Sequence, residues 1–160
     1  MPLRRCLLAL SLCFLSGPAL AFGCSMTATN IAYGNVDVSA GAPVSSAATL
    51  TLTCSGVPNG KFLLMCVSID GGSGYNGTSR LMNGPGSPQL QFQLYSDSAL
   101  TAAWGSWPAS LYGGGYSWTP LGTTSNGTWT TQVYGQVLAN QQTVTPGAYS
   151  SALNLSLIHI

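Results

Sequence analysis

The stretch Ala48-Thr49-Leu50-Thr51-Leu52-Thr53-Cys54 decides the fold class. Apolar and hydroxyl side chains alternate with period two, so Leu50 and Leu52 share one face of an extended chain while Thr49, Thr51 and Thr53 share the other. One face is buried and the other wet, as in an antiparallel sheet with a solvated side. Gln89-Leu90-Gln91-Phe92-Gln93-Leu94 repeats the pattern. Outward from these two segments, no stretch after Ala21 sustains a helical period. Short runs rich in Val, Thr, Leu and Tyr alternate with clusters of Gly, Pro, Asn and Ser. They predict strands over 25–31, 48–54, 62–69, 90–95, 129–138 and 150–157. Asn76-Gly77 and Asn126-Gly127 are expected to form tight hairpin turns with glycine at positive φ, and this reading is preferred to the Asn-x-Thr sequons they also begin. The pattern is that of an all-β sandwich.

The chain opens with Arg4 and Arg5, an apolar run over 6–15 and Ala19-Leu20-Ala21. This is the layout of a secretory signal peptide, expected over 1–21 with cleavage after Ala21. The apolar run is shorter than the about 20 residues needed to cross a bilayer, so no membrane insertion is expected. Ala21-Phe22-Gly23 before Cys24 is a poor match to a lipoprotein site. One domain is expected over 22–154. Its charged residues are Lys61, Arg80, Asp37, Asp70 and Asp97, and glutamate is absent from the chain. With 46% hydrophobic residues the sequence has the material for a core, which excludes intrinsic disorder. One lysine and one arginine leave no electrostatic footprint for nucleic acid or anionic lipid.

Cys24, Cys54 and Cys66 remain after cleavage. In an oxidising compartment they are expected to form one disulfide and leave one thiol. Three pairs are possible; Cys24 with Cys54, joining the first two strands, is the expected one. Cys66 lies in the apolar run Phe62-Leu63-Leu64-Met65-Cys66-Val67 and is expected as a buried thiol.

Two segments break the rhythm. Between 102 and 121, Trp104, Trp107, Tyr112, Tyr116 and Trp118 stand among Pro108 and Gly113-Gly114-Gly115. This reads as a long aromatic loop, either exposing apolar area for contact or folding back as a lid on the core. The tail Leu155-Ser156-Leu157-Ile158-His159-Ile160 matches the translation of a transposon-end adapter ligated to DNA for sequencing. The expectation is that 155–160 replaces a natural continuation beyond Asn154; the alternative is a natural β-strand. The tail also holds His159, the only histidine.

No residue set nominates itself for catalysis. The aspartates are scattered, and the abundant Ser and Thr residues have no base beside them in sequence. Cys-x-x-Cys, His-x-x-x-His, acidic clusters and a phosphate-binding glycine loop with lysine are all missing, so neither metal nor cofactor is expected and the chain is read as a non-enzyme.

Several local patterns recur in one order: Cys24 ahead of a strand, a second strand ending in Cys54, Arg80-Leu81-Met82-Asn83-Gly84 as a turn, and Leu90-x-Phe92-x-Leu94-Tyr95-x-Asp97. Trp104-Gly105, Val133-Tyr134-Gly135-Gln136-Val137 and Pro146-Gly147-Ala148-Tyr149 follow. In this the chain resembles the spore coat U-type domain found in subunits of archaic chaperone–usher pili, over nearly all of the mature length. The resemblance implies an incomplete immunoglobulin-like β-sandwich that lacks its last strand. A periplasmic chaperone lends that strand, an outer-membrane usher exports the subunit, and a neighbouring pilin later donates its own strand, placing the protein on the cell surface in a pilus. It also implies that Tyr95, Trp104 and Tyr134 are mainly core. The Val-x-Val-x-Tyr strand usual after Gly-x-Tyr is replaced here by the suspect tail.

Only Phe22 and Gly23 precede Cys24 in the expected mature chain, too few for a donor strand. The expectation is the N-terminal domain of a tip adhesin, followed by a second domain. It would bind abiotic or host surfaces in biofilm formation through hydrophobic fingers at Trp107, Leu111, Tyr112, Tyr116 and Trp118, with 57–64 as a further candidate. The competing readings are a stand-alone secreted coat protein and a carbohydrate-binding sandwich.

Overall fold

The computed structural model describes residues 22–86, 88–104 and 119–159. Among these residues eight strands form two antiparallel sheets: β1 (Gly23–Ala28), β2 (Val44–Ser55), β3 (Leu63–Ile69), β4 (Arg80–Asn83), β5 (Gln89–Tyr95), β6 (Thr119–Thr124), β7 (Gly127–Val137) and β8 (Leu155–His159). The larger sheet has the order β1-β2-β7-β5-β4 and the smaller β6-β3-β8. The fold is an all-β sandwich of two antiparallel sheets, as expected.

Alternation builds the core. On β2, Ala48, Leu50, Leu52 and Cys54 are buried, while Thr53 is exposed and Thr49 and Thr51 are partly so. Leu90, Phe92 and Leu94 of β5 and Val133 and Val137 of β7 face the same interior, opposite Met65, Val67 and Ile69 of β3. Fully burying one such side chain contributes about 1.5–3 kcal/mol, so this layer drives the sandwich together. The disulfide joins Cys24 to Cys54, which are register partners on β1 and β2.

Arg80 sits at the sheet junction with no solvent exposure. Its Nε donates to Asp70 O (2.9 Å), Nη1 to Gln93 Oε1 (2.9 Å) and Trp104 O (3.1 Å), and Nη2 to Ile69 O (2.7 Å). One guanidinium thus fastens the end of β3 to β4, β5 and the chain leaving β5. A buried cation is tolerated only when its donors are satisfied, and these acceptors do so. Trp104 completes the junction: its Nε1 donates to Val67 O (3.2 Å) and its backbone N–H to Leu94 O (2.8 Å).

The structure departs from the sequence-based expectations in specific places. Arg80-Leu81-Met82, read as a turn, is strand β4: it pairs with β5, and all three side chains are buried. Strand β6 has no alternation to announce it, and it tolerates Pro120 because an edge strand can forgo one N–H. Gly77 and Gly127 do take positive φ. Neither Asn-Gly closes a hairpin, however, since β3 and β4, and likewise β6 and β7, belong to different sheets. Asn126 instead braces Val57, accepting from its N–H (2.8 Å) and donating to its C=O (2.9 Å). Trp104 is core, but Tyr95 and Tyr134 are half-buried partners across β5 and β7, placed by the period-two repeat opposite Leu94 and Val133. Cys66 is a free, half-buried thiol, its neighbours on β3 having taken the interior face.

Candidate functional site

Strand β1 stops at Ala28, and the chain then leaves the larger sheet. Thr29 makes the last ladder contact, donating its N–H to Thr49 O (3.0 Å) while its Oγ1 accepts from Thr49 N (2.9 Å). Beyond it the segment 30–38 continues without a strand partner, bending at Gly34, whose φ is +67°, and Asn35. Ile31, Tyr33, Val36 and Val38 still turn inward against the core. Among the described residues, no backbone N–H from Asn30 to Val36 has a hydrogen-bond partner.

Across from it lies a second wall, 144–155. Here Ser150 exchanges both backbone hydrogen bonds with Asn83 (2.8 and 3.0 Å). Ala152 N donates to Ser73 Oγ (3.1 Å), and Asn154 N to Asp70 Oδ1 (2.9 Å). In an extended chain successive backbone groups alternate sides. Ser151 and Leu153 therefore turn theirs the other way, toward 30–38, and their N–H groups are unpartnered among the described residues. Strand β8 continues this wall and pairs with β3 on one edge only. Tyr149 anchors it: its hydroxyl donates to Thr145 O (2.6 Å), and its ring lies where Gly84 has no Cβ.

Between the walls opens a groove of about 1430 Å³. That exceeds the roughly 300–1,000 Å³ of a small-molecule pocket. Its floor is the outer side of the core, where Phe92, Leu94, Val133 and Val137 lie buried beneath it. Tyr33 crosses the groove to β7, its ring seated over Gly135, the one core-facing position of β7 between Val133 and Val137 without a side chain. Burial pushes the Tyr33 phenol far above its ordinary range, and the Arg80 charge opposes this only in part. A trough between two stretches of backbone with unpaired N–H groups has room for an extended polypeptide, and its lining holds no cluster of groups for acid–base chemistry.

The expected disulfide is present, as described. Trp107, Leu111, Tyr112, Tyr116 and Trp118 lie outside the described residues, as do 1–21. In the 57–64 segment, Val57 and Leu63 are buried whereas Phe62 is 67% and Leu64 39% exposed. Residues 155–159, the suspect tail, occupy β8. The sequence reading missed the groove walls as a pair, although Ile31-x-Tyr33 and Val36-x-Val38 carry the alternation of a strand and Gly135 interrupts that of β7.

The sequence profile of the Spore Coat Protein U domain matches residues 10–156. The chain belongs to the spore coat protein U domain family. Among solved structures, the P pilus rod subunit PapA shares 16% identity, with a TM-score of 0.54 over 86% of this chain and 99% of that one. A chaperone–usher pilus structure concerned with rod uncoiling shares 16% identity, with a TM-score of 0.50 over 86% of this chain and 87% of that one. A chain of the CsuC–CsuE chaperone–tip adhesion subunit pre-assembly complex from archaic Csu pili of Acinetobacter baumannii is 14% identical, with a TM-score of 0.49 over 86% of this chain and 39% of that one. No curated protein matches the chain. In this spore coat U family member the groove thus lies in a fold shared with pilus subunits.

Proposed function

We propose that this protein is an exported subunit of a chaperone–usher pilus, and that its groove receives a β-strand supplied in trans. The observation that carries this reading is the pair of backbone edges with unpaired N–H groups, 30–36 and 151–153, flanking a floor made of core side chains. Such edges template strand addition and favour aggregation until they are covered. A periplasmic chaperone supplies the first strand, an outer-membrane usher exports the complex, and a neighbouring subunit supplies the strand that stays in the fibre. The subunit passes through the periplasm to the cell surface and performs no catalysis.

The finer assignment is an adhesive domain at the fibre tip, active in biofilm formation. Exposed Phe62 and Leu64 support it, together with the aromatic-rich sequence holding Trp107, Leu111, Tyr112, Tyr116 and Trp118. In this assignment 22–154 is the adhesive domain and 155–160 stands in place of a natural continuation.

Periplasmic co-expression with and without a chaperone of archaic chaperone–usher pili tests the pilus reading. The expected result is a soluble one-to-one complex with the chaperone and aggregation without it. A soluble monomer of equal yield in both cases would refute it. Replacing Phe62, Trp107 and Tyr112 by serine in assembled pili tests the adhesive assignment, with reduced attachment to plastic expected and unchanged attachment against it.

A further inference from the structure

The wall at 150–155 passes from one sheet to the other. Ser150 exchanges backbone hydrogen bonds with Asn83 of β4 in the larger sheet, and Leu155 begins β8, which pairs with β3 in the smaller. Between them, 151–154 belongs to no strand. The turn that follows β3 holds it instead. Asp70 N–H donates to Asn154 O (3.0 Å) and Ser73 N–H to Ala152 O (2.9 Å), as the rungs of a ladder would. The two return bonds are made to side chains: Asn154 N–H donates to Asp70 Oδ1 (2.9 Å) and Ala152 N–H to Ser73 Oγ (3.1 Å).

Asp70 carries the larger share of this seam. Its Oδ1 also accepts from Gly72 N–H (2.9 Å), which shapes the turn, and its Oδ2 accepts from Asn154 Nδ2 (2.7 Å). The turn lies close against the wall, since a Cβ on Gly72 would overlap Ser151 Oγ and Leu153 Cδ2. The Asp70 carbonyl accepts from Arg80 Nε (2.9 Å), so the turn itself is tied to the sheet junction. With the backbone of Ala152 and Asn154 engaged on this side, alternation leaves that of Ser151 and Leu153 on the other, toward the groove.

We infer, resting on the strand-accepting reading above, that the Asp70 carboxylate is a positioning group for strand uptake. It stands in for the ladder bonds that 151–154 lacks and holds Ser151 and Leu153 set to pair with the strand. An edge ordered in advance leaves less freedom to lose when the partner arrives, so binding is tighter. Without the carboxylate, the incoming strand must order 151–154 itself. The backbone bonds of residue 70 to Arg80 and Asn154 do not depend on its side chain, so the sheet junction survives the substitution.

The test refolds the full chain with a lysine-flanked synthetic strand of alternating valine and threonine, and reads affinity by displacement of a labelled copy. A scan then replaces one strand amide at a time by an ester, which removes its N–H. Successive N–H groups of an extended strand turn to opposite sides, so one parity of positions reports on 151–153 and the other on 30–36. On the natural chain, esters of both parities are expected to weaken binding. Asp70→Ala is expected to weaken the all-amide strand roughly tenfold, to erase the ester penalty at one parity and to keep it at the other. Asp70→Asn keeps an acceptor at Oδ1 and is expected to recover most of the loss. Unchanged affinity in Asp70→Ala overturns the inference. So does a loss of the ester penalty shared equally by both parities, because general loosening of the fold spares neither edge. Should Asp70→Ala not fold, amide exchange of the natural chain before strand uptake decides. Protected Ala152 and Asn154 beside fast Ser151 and Leu153 is the expected pattern, and equal rates across 151–154 overturn the inference. A natural chain that binds no strand removes the strand-accepting reading itself.

Discussion

Replacing Arg80 by methionine removes the fastening between the sheets while keeping most of the buried volume. Four hydrogen bonds from the guanidinium disappear, to Ile69 O, Asp70 O, Trp104 O and Gln93 Oε1. At about 1.5–3 kcal/mol for each bond to a charged group, the gross interaction is of order 6–12 kcal/mol. Against it stands the cost of taking a cation out of water, several kcal/mol. The variant no longer buries the charge but leaves its acceptors unsatisfied, so the net loss expected is about 3–5 kcal/mol. A domain holds only about 5–15 kcal/mol in total. Arg80→Met should therefore lower the melting temperature of the strand-completed domain by about 10–15 °C. Arg80→Lys keeps the charge but not the planar fork, so it should lose nearly as much, about 2–4 kcal/mol. Urea denaturation of each variant measures these values. A loss under about 1 kcal/mol for Arg80→Met would show that the junction is held by apolar packing alone, and the reasoning would fail.

Further expectations rest on other contacts. A Cβ at Gly135 would overlap Tyr33 Oη and lie 3.2 Å from Ile31 Cδ1, so Gly135→Ala should cost about 1–3 kcal/mol. Tyr33→Phe should recover at least about 1 kcal/mol of that loss in the double variant, and strict additivity in denaturation would contradict the knob-in-hole contact. Reducing the Cys24–Cys54 bond, which closes a separation of 30 residues, should cost about 3.5 kcal/mol, read as a shift in the denaturation midpoint with and without reductant. Hydrogen bonds from the Thr101 hydroxyl and from the Ala102 and Thr101 amides hold the Asp97 carboxyl below the usual carboxylate range. Its contribution is thus complete above the ordinary aspartate value, about 3.9, and is lost as pH falls through the lower folded value. Amide exchange of 97–102, corrected for intrinsic rates, should stay constant from neutral pH to about 5 and rise only in stronger acid, a rise that Asp97→Asn should abolish.

Much of the fold was legible because β2 and β5 write their burial in the sequence: Leu50 and Leu52, then Leu90, Phe92 and Leu94, alternate with polar residues. The disulfide was legible for a related reason, since Cys24 and Cys54 flank the first two strands. Strand β4 was hidden because Arg80 looks like a surface residue until the fold supplies four acceptors for it. The crossings at Asn76-Gly77 and Asn126-Gly127 were hidden because positive φ fixes a local bend, whereas the sheet that receives the next strand is decided by packing. The groove was least legible of all. Its walls lie more than a hundred residues apart in sequence, 30–38 and 144–155, and what makes it a site is unpaired backbone, which side-chain patterns do not encode.

The most direct test of the account is amide hydrogen exchange of the chain before and after it takes up a strand. The account predicts that the amides of Ser151 and Leu153, and the alternate amides of Asn30–Val36 that turn toward the groove, exchange fast in the open domain and slow to the rate of the β2–β7 ladder once the groove is filled. Amides that are already protected in the open domain, or that stay fast in a complex shown to be stable, would contradict it.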